Sequence, residues 1–156
     1  MQLSITGGSK SQKRYARDIV EFCADKLMSK RLQANLTIKL HFVKLHEKYR
    51  QMGNCIWEDD QYRPREFVIE IDPSARLRRV LESICHEMVH VKQFAKGEMR
   101  DLAGAEKVAF LGKKYDLDKD EYFERPWEIE AHGRELGLFI RWAEKNELGH
   151  LKWTHD

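Results

Sequence analysis

Near the start of the chain, Tyr15, Ile19, Phe22, Cys23 and Leu27 recur at steps of three and four residues with charged positions between them. That is the period of an amphipathic helix. Ser9 or Ser11 can cap it, and it is expected to run to about Arg31. The period then changes to two. Leu36, Ile38, Leu40 and Phe42 alternate with Thr37, Lys39, His41 and Val43, as in a half-buried strand. A second strand is expected over residues 54–57, after the turn residue Gly53, and a third over residues 67–71, where Phe67, Ile69 and Ile71 share a face.

The helical period returns after Asp72-Pro73-Ser74, a start signal, and stops before Gly97. Between them Leu77, Val80, Leu81, Ile84, Met88, Val91 and Ala95 form one stripe. The stretch from Glu98 to Arg125 is less regular: VAFLGKKYD reads as a strand or hairpin arm and DLDKDEYFE as a polar connection. A last helix is expected from Pro126 to about Lys145. With no repeat, low-complexity tract or composition shift, residues 1–156 are expected to form one α+β domain.

Inside the third periodic stretch sits HEMVH. Residues four apart lie one turn above each other on a helix, so His86 and His90 offer two imidazoles to one point. At about 100° per residue they fall roughly opposite the apolar stripe, which directs them toward a cleft or water. Glu87 is turned away from that point, yet can reach a water held there. Two imidazoles, a third ligand and an adjacent carboxylate are the parts of a catalytic zinc site, in which the metal polarises a carbonyl and the carboxylate acts as general base. Peptide-bond hydrolysis is the chemistry such a site usually serves.

The third ligand is sought in RPWEIEAHGRE. On the wheel of the last helix, Glu128, His132, Glu135 and Phe139 share one face, while Glu130 lies about 160° away beside Arg134 and Arg141, as a solvent ion pair would. A carboxylate in mid-stripe needs a metal or a cation. Glu135 is nearly two turns beyond Glu128, on the order of 10 Å, too far for one ion to meet both directly.

HEMVH followed by Glu128-x-x-Ala131-His132 resembles the gluzincin class of zinc metallopeptidases, and HEMVHVKQ and PWEIEAH are similar to short metallopeptidase-like proteins of phage and bacterial genomes. The resemblance implies a minimal zincin-like domain, with an N-terminal helix, a small mixed sheet, the HExxH helix and a C-terminal helix supplying a glutamate. It also implies zinc held by His86, His90 and Glu128, Glu87 as the catalytic residue, and a peptide or protein substrate. Gluzincins commonly carry Asp or Asn where this chain has His132, so His132 is expected either to brace a ligand histidine or to join the metal. The SprT-like peptidases, which act on DNA-bound proteins, place a third histidine soon after HExxH; none occurs between His90 and His132. Tyr115, Tyr122 and His150 remain open as oxyanion donors. Zinc that merely tethers two helices of a binding module is the competing reading; it requires a fourth protein ligand, with His132 the candidate.

Charge and composition change little in this picture. The 28 Lys and Arg nearly balance the 26 Asp and Glu, but eleven of the former and only four of the latter fall in residues 1–50. That asymmetry reads as a solvated helix face ahead of a nucleic-acid patch. No apolar run suggests a membrane span or secretory leader, and Cys23, Cys55 and Cys85 suggest neither a disulfide framework nor a cysteine zinc site. A cytoplasmic setting is expected. ITGGSKSQK lacks the spacing of a phosphate loop. His41, His46, His150 and His155 are expected at the surface.

Overall fold

The computed structural model describes residues 1–45, 52–102 and 106–156. It opens with a strand the sequence pattern did not signal, β1 (Gln2–Thr6). Its five residues bury none completely, so the alternation of Leu3 and Ile5 is too short and too weakly apolar to stand out. Gly7 and Gly8, at φ 68° and 66°, turn the chain into α1 (Lys10–Leu27). Ser9 caps it in a capping box with Gln12, which satisfies two backbone donors reciprocally. The helix ends before Arg31: Ser29 caps a separate short helix, α2 (Lys30–Ala34).

The strands β2 (Thr37–Phe42), β3 (Gly53–Trp57) and β4 (Glu66–Ile71) fall where the period of two put them. The sheet order is β1-β2-β4-β3. β1 with β2 and β2 with β4 are parallel, and β3 runs antiparallel to β4, so the sheet is mixed and β3 is one edge. Ile38, Leu40, Phe67, Ile69 and Ile71 are fully buried on one face, where α1 and α3 (Leu77–Ala95) pack.

α3 begins later than the Asp72-Pro73-Ser74 signal suggested. Its N-cap position is Arg76, which makes no side-chain cap. Asp72 instead accepts from the backbone N–H groups of Ser74 and Leu45, so it fixes a turn. Every residue from Val80 to Ala95 is buried. The polar face, expected to look into a cleft or water, lies between elements: α1 and the sheet cover one side of α3 and α4 (Pro126–Lys145) the other. Between α3 and α4 a three-stranded antiparallel meander, β5 (Met99–Leu102), β6 (Lys107–Phe110) and β7 (Lys113–Asp116), includes the hairpin expected in VAFLGKKYD. Its Phe110 and Tyr115 pack on Trp127, ring centroids 5.9 and 5.3 Å away, which seats the first turn of α4. This is an α+β fold with four helices and two small sheets. No helix among the described residues is long and apolar enough to cross a membrane.

Candidate metal centre

α3 and α4 run antiparallel, so the turn bearing His86 and His90 faces the first turns of α4. His86 Nε2 lies 3.1 Å from His90 Nε2 and 3.3 Å from Glu128 Oε2, and His90 Nε2 lies 3.5 Å from the same oxygen. All three residues are buried. Metal–ligand bonds of about 2.0–2.2 Å in a tetrahedron put ligand atoms roughly 3.3–3.6 Å apart; the two separations to Glu128 match this and the imidazole pair, at 3.1 Å, is slightly closer. His86, His90 and Glu128 are thus positioned to bind a metal ion.

The hydrogen bonds behind the imidazoles fix which nitrogens face that point. Glu135 Oε2 is 2.8 Å from His86 Nδ1, and Glu135 is held ionised: burial opposes its charge, but hydrogen bonds to His86 and Arg79 outweigh this and lower its pKa. A carboxylate only accepts, so Nδ1 donates to it and Nε2 is the nitrogen left to face Glu128. For His90 the partner is Gln93 Oε1, 2.8 Å from Nδ1. The amide of Gln93 is oriented because its Nε2 donates to Trp127 O and Glu130 Oε2, both at 3.0 Å. Both Nε2 atoms therefore face Glu128, and each is the nitrogen that would bind a metal in exchange for its proton.

The electrostatics follow. Burial disfavours the imidazolium of His86, but Glu128, Glu135 and Glu87 overcome it and raise its pKa to about 9. His90 shifts upward by the same balance. Glu128, despite its burial, is pushed below the usual carboxylate range by His86, His90 and the hydroxyl of Tyr122, which donates to its Oε2 at 2.7 Å. Glu87, almost entirely enclosed, is pushed up by burial, with the two imidazoles acting against this. A cavity of about 440 Å³ opens onto the group, lined by Gly53, His86, Glu87, Tyr122, Phe123 and Glu135 among others. Glu87 enters it because Gly53 leaves room: a Cβ there would lie 2.6 Å from Glu87 Oε1.

The structure brings His86, His90 and Glu128 together and sets Glu87 beside them on the cavity. Glu135, expected on the same face but not to share an ion with Glu128, reaches the far nitrogen of His86. His132 takes neither expected part directly: its Nδ1 is 3.4 Å from Glu135 Oε2 and its ring centroid 4.5 Å from that of His86, in a second grouping of His86, His132 and Glu135 apart from His90 and Glu128. Glu130 is no mere solvent pair, since it binds buried Lys92 at 2.6 Å and Gln93, as well as Arg134 at 2.9 Å. Gln93 carries no sequence signal, and Gly53 reads in the sequence only as a turn residue. Of the three oxyanion candidates, only Tyr122 lines the cavity; Tyr115 packs on Trp127, and His150 is exposed and bonded to Glu147 O. His41 is half-buried against Thr6, His150 and His155 are exposed, and His46 lies outside the described residues. Searches among family models, curated proteins and solved structures gave no match to this chain.

Proposed function

We propose that the chain is a small zincin-like, gluzincin-type metallopeptidase that hydrolyses peptide bonds with zinc held by His86, His90 and Glu128. The reading rests on one observation: three ligand atoms within 3.1–3.5 Å of one another, the two imidazoles each held through Nδ1 so that Nε2 faces the shared point, with a further side chain, the acidic Glu87, reaching the cavity beside them. Zinc at that point supplies Lewis acidity and lowers the pKa of a water toward about 7. Glu87, beside the residues that would hold the metal, would take a proton from the attacking water and return it to the departing amine. Its raised pKa suits both halves of that task. Tyr122, whose pKa is raised by burial and by Glu128, stays protonated; its single O–H, given to Glu128 Oε2 in this structure, would serve a developing oxyanion by swinging away from that carboxylate. β3, paired to β4 on one side, leaves its other edge for an extended peptide.

A purely tethering zinc needs a fourth protein ligand, and His132 is not grouped with His86, His90 and Glu128, which favours an open coordination position. The deciding experiment is zinc quantitation joined to a broad peptide-library cleavage assay on wild type and Glu87→Gln. About one zinc per chain in both, with cleavage by wild type alone, is the expected result; normal turnover by Glu87→Gln would sink the mechanism.

A further inference from the structure

α4 presents its site face to α3, but a second apolar face points away from the molecule. Ile129, Leu136 and Ile140 are 54%, 45% and 43% exposed, and they lie within about 40° of one another around the helix at 100° per residue. Gly133 lies between them at the edge of the same face and Gly137 on its flank, both exposed. Glycine weakens a helix interior relative to alanine, and nothing inside this chain asks for it here. Neither residue has a left-handed backbone, and a Cβ added at either would meet no atom within 4 Å. The two glycines are thus unexplained by the fold itself. They carve a shallow groove beside the ridge of Leu136 and Ile140, the relief that lets another helix approach closely.

We propose that this face is a two-fold interface between two copies of the chain, with the α4 helices packed antiparallel at a shallow angle. The pattern is complementary to itself. A register that sets Ile129 opposite Ile140 also sets Leu136 opposite Gly133, so each copy offers the knob that fills the other's hollow; this is the requirement of an isologous contact. The same register brings Arg125 opposite Glu144 at both ends. Among the described residues neither has an ion-pair partner: the Arg125 guanidinium donates only to the carbonyls of Asp120 and Leu117, and Glu144 is exposed. Of the nearby charges, Arg134 and Glu130 are paired with each other at 2.9 Å on the flank, so no like charges are forced together at the centre. The inference does not depend on the metal or on peptidase activity.

Sedimentation velocity over a concentration series, up to about 0.5 mM, tests it with the full chain. A reversible monomer–dimer equilibrium is expected. Gly133→Leu and Leu136→Gly should each weaken the dimer at least ~10-fold, because one fills the hollow and the other removes the knob. The double variant, which exchanges knob and hollow within the same register, should recover to within roughly threefold of wild type. Glu144→Arg, a change on the open surface, should weaken the dimer and make the remaining association rise with salt. Circular dichroism of each variant separates loss of association from loss of fold. A wild-type chain that stays monomeric at every concentration, or a dimer indifferent to Glu144→Arg and to both single changes, overturns the proposal.

Discussion

Glu135 and His86 sit on different helices, and the carboxylate accepts from the imidazole Nδ1 at 2.8 Å. This one contact sets the tautomer of His86 and aims its Nε2 at Glu128. Removing the carboxylate leaves the ring free to rotate and its basicity reduced. Glu135→Ala is therefore expected to weaken metal binding 10- to 100-fold, about the size found for such supporting partners. His132→Ala should do less, since its nearest approach to this network is 3.4 Å. Chelator competition would measure both, and Glu135→Ala binding like wild type would refute the assignment.

Gly53 and Glu87 meet across the gap between the edge strand and α3, where a Cβ would sit 2.6 Å from the carboxylate oxygen. Gly53→Val should push Glu87 aside without touching His86, His90 or Glu128. Metal content stays at the wild-type level in this prediction, while kcat/KM falls by ~100-fold from misplacement of the base. Cleavage at the wild-type rate would show that Glu87 does not need that space.

Glu130 joins two helices through Lys92 and Gln93. Lys92 is 8% exposed and keeps only Glu98, at 2.6 Å, when Glu130 is lost. Glu130→Ala should cost about 1–3 kcal/mol of stability, as expected when a buried polar group loses a partner. A shift of the urea midpoint reports it; an unchanged midpoint would return Glu130 to the role of an ordinary surface acid.

The metal-free protein should lose stability as pH rises. His86 has a pKa of about 9 folded against 6.5 unfolded, so its contribution is complete below pH 6.5 and disappears as pH rises through 9. Glu128 and Glu135, lowered on folding, act in the opposite sense and withdraw their contribution as pH falls below their unfolded value near 4.5. Between pH 6.5 and 9 the melting temperature of chelated protein should drop on the order of 5–10 °C. Metal takes the place of the imidazole proton, so the loaded protein should show much less of this fall. Parallel slopes in calorimetry would contradict the linkage.

Cys23 and Cys85 are neighbours in the core, the Cys23 thiol donating to Cys85 Sγ at 3.7 Å, with no disulfide between them. Their separation in sequence hid this. Thiol titration of denatured, unreduced protein should still find all three cysteines free, and fewer than three would show that this pair had oxidised.

Periodicity was a sound guide wherever a segment had one wet face. The spans of β2, β4 and α4, and the Ser9 cap, came directly from it. At α3 it put the histidines opposite the apolar stripe, toward a cleft or water; the structure packs the stripe on α1 and the sheet and buries the opposite face as a polar network that borders the cavity. A helical wheel separates those faces but cannot say that both are covered. Distance along one helix parted Glu135 from Glu128 as a direct ligand, but it could not show that Glu135 reaches His86 on a second helix running the other way. Gln93 had no pattern of its own and Gly53 read only as a turn; the approach of Glu130 and of Glu87 gives them their tasks.

The division of the site between α3 and α4 also has a consequence for how the molecule is made. A ribosome releases His86 and His90 well before Glu128 and Glu135, and the meander of β5, β6 and β7 is synthesised in between. Until the last helix emerges, α3 has no cover on its polar side, and the two histidines face solvent without the carboxylates that orient and neutralise them. Helix α4 must therefore be made before the three side chains can meet, so an ion held with this geometry could be loaded only after the synthesis of α4.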